Sequence, residues 1–124
     1  MENAEFKKLV EDLEEYNGVE EVFLLSPKGE ILFKSKDFPF SDQEAKDLLK
    51  SWREKEGSIN FQGYRFAILK NDELQLAAKN ISQGKGNIVG SKTKDGDYVV
   101  AHISKDTGLI LLEWSIYINK VAWK

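Results

Sequence analysis

A chain of 124 residues, 41% hydrophobic and 31% charged, can fill one packed core but not two, so residues 1–124 are expected to form a single domain. The absence of cysteine excludes disulfides, thiolate catalysis and cysteine-ligated metals. A net charge of −3 argues against a nucleic-acid binder, which would carry a strongly basic face.

That net charge divides unevenly. Residues 1–56 hold 9 Lys/Arg against 15 Asp/Glu, net −6, and residues 57–124 hold 9 against 6, net +3. A modestly basic half suits an acidic protein partner. The opening MENAEFKKLVEDLEEY is acidic and amphipathic, unlike a signal peptide, and no apolar run reaches membrane-spanning length. The expectation is a soluble, cytoplasmic protein.

Phe6, Leu9, Val10, Leu13 and Tyr16 recur at helical spacing before Asn17-Gly18, which marks a stop. VEEVFLLS and EILFKS flank Ser26-Pro27-Lys28-Gly29, a turn sequence that makes them a β-hairpin. Ser41 and Glu44 have capping-box spacing, and Ala45, Leu48, Leu49 and Trp52 form an apolar stripe that should end at Gly57. From Gly57 to Ser104, five β-rich segments (INFQ, YRFAILK, LQLAAKN, NIVGSK, DYVVAHIS) alternate with Asn71-Asp72, Gly84–Gly86 and Asp95-Gly96, the pattern of an antiparallel meander. The tail mixes strand and helix formers, but Ile110, Trp114, Tyr117 and Val121 share one helical face, so a third helix is expected. The class is α+β: one antiparallel sheet, terminal helices able to share a face, and the second helix elsewhere.

The stretch AKNISQGKGNIVGSK, residues 78–92, invites a phosphate-binding reading that its spacing denies. A P-loop needs Gly-Lys-Ser/Thr entering a helix, whereas here Gly84-Lys85 runs into Gly86 and then a strand. The dinucleotide pattern would want a third glycine where Val89 stands. His102, the single histidine, has no second histidine or cysteine with which to complete a metal site, and is expected to be a strand residue with a local hydrogen bond. Acidic pairs such as Asp12 with Glu15, or Glu14 with Glu15, suit a solvated helix face. No nucleophile with a plausible base can be named, and no cofactor or metal is implied. A binding module is therefore favoured over an enzyme.

The element order, read with particular residues, resembles the profilin family over nearly the whole chain. Phe6-Lys7-Lys8-Leu9-Val10-Glu11-Asp12 has the spacing of the family's opening Trp-x-x-Tyr-Val-Asp-Asp helix. Gly29-Glu30-Ile31-Leu32 is similar to its Gly-x-Val-Trp, Phe38-Pro39-Phe40 to its FP-F entry into a helix, and Arg65–Leu69 to its Lys-Tyr-Met-Val-Ile strand. The resemblance implies a central antiparallel sheet with the N- and C-terminal helices on one face and the middle helix on the other. It also implies a monomer that binds actin monomers and regulates polymerisation. The actin face would comprise Arg65 and Lys70 bracketing one strand, Glu73 and Lys79 on the next, Asn87 past the glycine loop, and Glu113 on the last helix.

A polyproline trough would fall on Phe6, Leu9, Leu32, Tyr117 and Trp123. Tyr117 and Trp123 keep the family's spacing of six, but Phe6, Leu9 and Leu32 replace aromatic residues. Each lost aromatic forfeits roughly 0.5–1.5 kcal/mol of stacking, so weak or absent binding of proline-rich peptides is expected. Lys79, Lys85 and Lys92 could serve phosphoinositide headgroups. Short length and compact loops look like the minimal profilins of Asgard archaea. A roadblock-like or longin-like scaffold for a small GTPase is the alternative; YNGVEEVFLLSPKGEILFKS suits it, the long Gly/Lys meander less so.

Overall fold

The protein is described by a computed structural model covering residues 1–124. Its elements are α1 (Asn3–Leu13), β1 (Val19–Leu25), β2 (Ile31–Lys34), α2 (Asp42–Arg53), β3 (Ser58–Phe61), β4 (Tyr64–Asn71), β5 (Gln75–Lys79), β6 (Asn87–Lys92), β7 (Tyr98–Ile103) and α3 (Leu111–Ala122). The strands form one antiparallel sheet in the order β2-β1-β7-β6-β5-β4-β3. The helix–hairpin–helix–meander–helix order expected from the sequence is therefore present. No helix is long and apolar enough to cross a membrane.

Strand alternation sorts the side chains into two cores. Val22, Leu24, Val89, Val99, Ala101 and Ile103 face α1 and α3, where they meet Phe6, Leu9, Leu13, Trp114, Ile118 and Val121. Phe23, Leu25, Phe66, Leu76, Ile88 and Val100 face α2 and meet Leu48, Leu49 and Trp52, with Phe40 packed beside them. The terminal helices thus share one face and α2 takes the other. Because the central strands are covered on both sides, they read as near-continuous apolar runs.

Several local details depart from the sequence reading. Tyr16 lies beyond α1 and is exposed, stacking edge-on against Tyr117 at 4.9 Å. Only half of the expected capping box forms: Glu44 N–H donates to Ser41 Oγ at 3.1 Å, but the Glu44 carboxylate accepts from Gln62 instead of reaching back. The helix α2 stop is not Gly57. Lys55 takes the left-handed conformation at φ 54°, with Lys55 N–H donating to Trp52 O and Glu56 N–H to Ser51 O, so a Schellman-type end closes two residues earlier. Ile110 is not on the buried stripe of α3; it precedes the helix, exposed, and Ile118 takes the buried position.

A close approach fixes Gly90 on β6. The Trp52 ring lies across it, so a Cβ there would fall 2.8 Å from Trp52 Cζ3 and 3.2 Å from the Val99 carbonyl oxygen. Gly90→Ala should displace the indole and destabilise the fold by roughly 1–3 kcal/mol. Urea unfolding followed by far-UV circular dichroism checks this; unchanged stability would mean that the α2 face tolerates the extra methyl.

Candidate functional site

The terminal-helix face of the sheet extends beyond the helices that cover it. Ala67, Lys79, Asn87 and Ile103 are successive cross-strand partners on β4, β5, β6 and β7, and Ile103 belongs to the core beneath α1 and α3. Lys79 and Asn87 therefore share the face of the terminal helices, as does Arg65, two residues before Ala67. A groove of about 440 Å³ opens there, lined by Lys79, Ile81, Asn87, Lys105, Ile110 and Leu111 among others, and no carboxylate lines it. Exposed Leu112 and Ile116 continue the apolar surface along α3.

One wall is the loop between β5 and β6, and Asn80 organises it. The Asn80 side chain, 4% exposed, accepts at Oδ1 from Gln83 N–H (2.9 Å) and Lys85 N–H (3.2 Å), and donates from Nδ2 to Arg65 O (3.0 Å) and Gln83 Oε1 (2.9 Å). All four hydrogen-bonding positions of the amide are filled. The Gln83 and Lys85 N–H groups, which a phosphate cradle would turn outward, point inward at Asn80. Gly86 is required at the end of the loop, because with φ +83° its Cβ would lie 1.9 Å from the Ile103 carbonyl oxygen. Sequence reasoning missed Asn80; an asparagine closing a strand ahead of a glycine-rich turn is the signal that could have found it.

Asn87 is 8% exposed and has a buried Oδ1 with no partner. A buried amide group without a hydrogen bond is uncommon and costly, so a ligand able to reach it would gain from pairing with it. On the opposite wall, Thr107 Oγ1 donates to Asn17 O (2.6 Å) and accepts from Trp114 Nε1 (2.8 Å), while Glu113 Oε1 accepts from Ile110 N–H (3.0 Å). Glu113 is therefore engaged in starting α3.

The remaining expected residues are placed unevenly. Arg65 and Lys70 lie within β4 rather than bracketing it. Lys70 Nζ donates to Gln75 Oε1 (2.7 Å), which also accepts from Ser115 on α3, so its ammonium is tied to the helix flank. Glu73 sits in the turn before β5, not on the strand, and lines a separate cavity of about 310 Å³ with Trp52, Arg53, Lys55, Lys92 and Tyr98. The structure thus gathers Lys79, Asn87 and the start of α3, with Arg65 adjoining, and sets Glu73 apart. Lys79, Lys85 and Lys92 do not converge: Lys79 pairs with Asn87 at one end of β6, Lys92 closes the other end, and Lys85 Nζ lies 4.6 Å from the Tyr64 ring centroid.

The five expected polyproline residues form no common trough. Phe6 and Leu9 are 2% and 3% exposed and belong to the core. Phe33, not Leu32, stacks on Phe6 at 5.5 Å, because a bulge beside Leu24/Leu25 shifts the hairpin register. Tyr117 donates its hydroxyl to Asp12 O (2.5 Å), whereas Trp123 lies just past α3 and donates to Lys92 O (2.7 Å). A groove of about 460 Å³ does run between the terminal helices, but Leu9 alone of the five lines it, and Lys8, Asp12, Lys94, Asp95 and Lys124 make it strongly charged. Burial acts to raise the Asp12 pKa, and hydrogen bonds and charge from Lys8 and Lys124 outweigh it, holding the carboxyl below its usual value.

His102 has the local bonds expected of it. Nδ1 lies 3.0 Å from Glu21 Oε2 and Nε2 lies 2.7 Å from Lys85 O. Burial lowers its pKa, but the bonds to Glu21 and the Lys85 carbonyl, with the charges of Glu21 and Glu20, leave it raised above 6.5. No group of three or more His, Cys, Asp or Glu side chains is placed to hold a metal ion.

Fold and site define a small α+β domain with a partly uncovered sheet face that is apolar at its centre and basic at its rim. Loki profilin-3 from Lokiarchaeum sp. (strain GC14_75) is 62% identical over 123 residues, covering 99% of each chain. The chain therefore belongs to the profilin family. Among solved structures, LokiProfilin2 in complex with rabbit actin superposes with a TM-score of 0.77 at 16% identity, covering 98% of this chain and 95% of that one. LokiProfilin1 gives 0.73 at 18%, covering 98% of both. A Roadblock/LC7 domain from Streptomyces avermitilis shares the layered layout less closely, with a TM-score of 0.55 at 11% identity over 94% of this chain and 90% of that one. No protein-family model matches the chain.

Asp12 provides a test of the charged groove. Its folded pKa is depressed, so its contribution is present above the ordinary 3.8 and is lost as pH falls through the folded value. Asp12→Asn should cost about 1 kcal/mol near neutral pH, given that both lysines are exposed, and the difference from the parent should vanish in acid. Urea unfolding of both proteins across that range decides it.

Proposed function

We propose that this protein binds actin monomers and regulates their polymerisation through the uncovered face of β4, β5 and β6 together with the start of α3. The observation that carries this reading is the carboxylate-free groove, where Lys79, Lys105 and Asn87 with its unpartnered Oδ1 surround apolar Ile81, Ile110 and Leu111. An apolar centre supplies contact area, and basic rim groups steer an acidic partner into register. Membership of the profilin family supports actin as that partner, since a Loki profilin of the same fold has been solved bound to rabbit actin. Docked there, the domain would cap one end of the monomer, blocking some addition routes and leaving others open. Its expected setting is the cytoplasmic cytoskeleton, and its expected state is monomeric.

Proline-rich peptides bind weakly or not at all on this reading, because the groove between the terminal helices lacks an aromatic floor. Phosphoinositides would meet only scattered lysines. A proline-rich peptide titrated while Trp123 fluorescence is followed should give no saturation in the low micromolar range; saturation there overturns that part of the proposal.

Three experiments test the main reading. The purified chain should lower the initial rate of actin polymerisation with dose, more at low than at physiological salt, and no effect at roughly tens of micromolar would refute it. Lys79→Glu should weaken binding roughly five- to tenfold at low salt, reduce its salt dependence and leave the fold intact, since Lys79 is exposed. If Lys79→Glu binds as the parent does, the face is misplaced. A sedimentation run showing a dimer would favour a GTPase-scaffolding role.

A further inference from the structure

Both ring nitrogens of His102 face oxygen atoms that can only accept. One is a carboxylate oxygen of Glu21 on β1, the other the backbone carbonyl of Lys85 in the glycine loop. A neutral imidazole carries one N–H and one lone pair, so in that form one of these contacts would oppose two lone pairs. The arrangement is complete only with both nitrogens protonated. Glu21 requires the same answer: its side chain is 6% exposed, and the imidazole is its one ion-pair partner. A buried carboxylate is strongly disfavoured without a countercharge.

The surroundings hold the ring in place without competing for it. Phe61 of β3 and Phe66 of β4 pack against it at 5.1 and 6.1 Å, and Ile88 of β6 lies opposite it across the strands. The charged groups that face it are Glu21 and Glu20 of β1; Lys85 offers it only a backbone carbonyl, its ammonium sitting over the Tyr64 ring of β4. The loop residues on either side of Lys85, Gly84 and Gly86, both line the groove that holds Lys79 and Asn87. The imidazole therefore ties the groove wall to the central sheet.

We infer that His102 and Glu21 form a proton-operated clasp that fixes the glycine loop and, on the docking reading proposed above, sets the shape of the partner groove. When a proton leaves, the charge-assisted bond to Glu21 is the stronger and retains its hydrogen, so Nε2 becomes a lone pair facing the Lys85 carbonyl. The loop then loses its tie to β7 through His102 and keeps the bonds that Asn80 makes to the Gln83 and Lys85 N–H groups. With a folded pKa raised above 6.5, the clasp is fully engaged below that value and is lost as pH rises through the folded one.

Because the chain has one histidine, its ring signals in a ¹⁵N-labelled sample need no assignment. Titration of the full chain from about pH 5 to about pH 9 should show both ring nitrogens protonated at the acid end and a midpoint above the ordinary value of about 6.5. The Gly84 and Gly86 amide signals should shift with the same midpoint, and Glu21→Gln should lower it. A midpoint at or below the ordinary value, or loop amides indifferent to the titration, overturns the clasp. In a second arm, the affinity of the parent for actin monomers should fall about fivefold between about pH 6 and about pH 8.5 relative to that of His102→Gln, which carries no titrating ring. If the loop follows the histidine but parent and His102→Gln share one pH dependence for actin, the clasp stands and the placement of the actin face fails.

Discussion

Burial of the central strands on both faces is the constraint from which the rest of the molecule follows. β1, β7 and β6 lie in the middle of the sheet order between two helical layers, so their side chains must be apolar whichever way they point. Phe23 and Leu25 look one way, Val22 and Leu24 the other, and all four are inaccessible to solvent. Polar groups that enter this region mostly arrive with a partner, as Glu21 does with His102 and Ser91 with Asn119, and the Asn87 Oδ1 at the end of β6 is the exception. Gly90 obeys the same constraint from the opposite direction, since only a missing side chain lets Trp52 close over β6.

The functional face is a remainder of that arrangement. Seven strands about 4.8 Å apart span roughly 29 Å, whereas two helices side by side cover about 20 Å. On the side of α1 and α3, the far strands are left with a partly open surface, and exposed Arg65 and Lys79 lie on it. The helices cannot cover this strip, and the loop between β5 and β6 instead walls one end of it. That loop keeps its shape through the fully bonded Asn80 amide, and Gly86 serves close packing against β7 rather than anion capture.

The parts legible in the sequence were those written in periodicity. Leu48, Leu49 and Trp52 announced α2, and the alternating segments between Gly57 and Ser104 announced the meander, because burial of one stripe or face leaves a repeat that can be read. What stayed hidden depended on contacts between distant residues. The bulge at Leu24/Leu25 put Phe33, not Leu32, against Phe6, and no local pattern marks such a register shift. The stop of α2 at Lys55 lacks the glycine that usually signals it. Glu73 sits just before β5 in the chain yet lines a different cavity, and Asn80 adds to its local turn bonds one to the Arg65 carbonyl, 15 residues away, that no local pattern marks. The separation of Tyr117 from Trp123 arises because the helix ends at Ala122, turning the last indole toward β6.

The three tryptophans sit at two depths, and this makes the molecule an optical instrument of its own. Trp114 and Trp52 are 0% and 2% exposed, sealed in opposite cores, while Trp123 is 45% exposed at the Lys92 end of β6, away from Asn87. A small aqueous quencher reaches the last ring and not the other two. Light emitted by Trp123 therefore reports on the end of the molecule where the terminal helices close, and stays constant when a protein settles on the far end of the same strand.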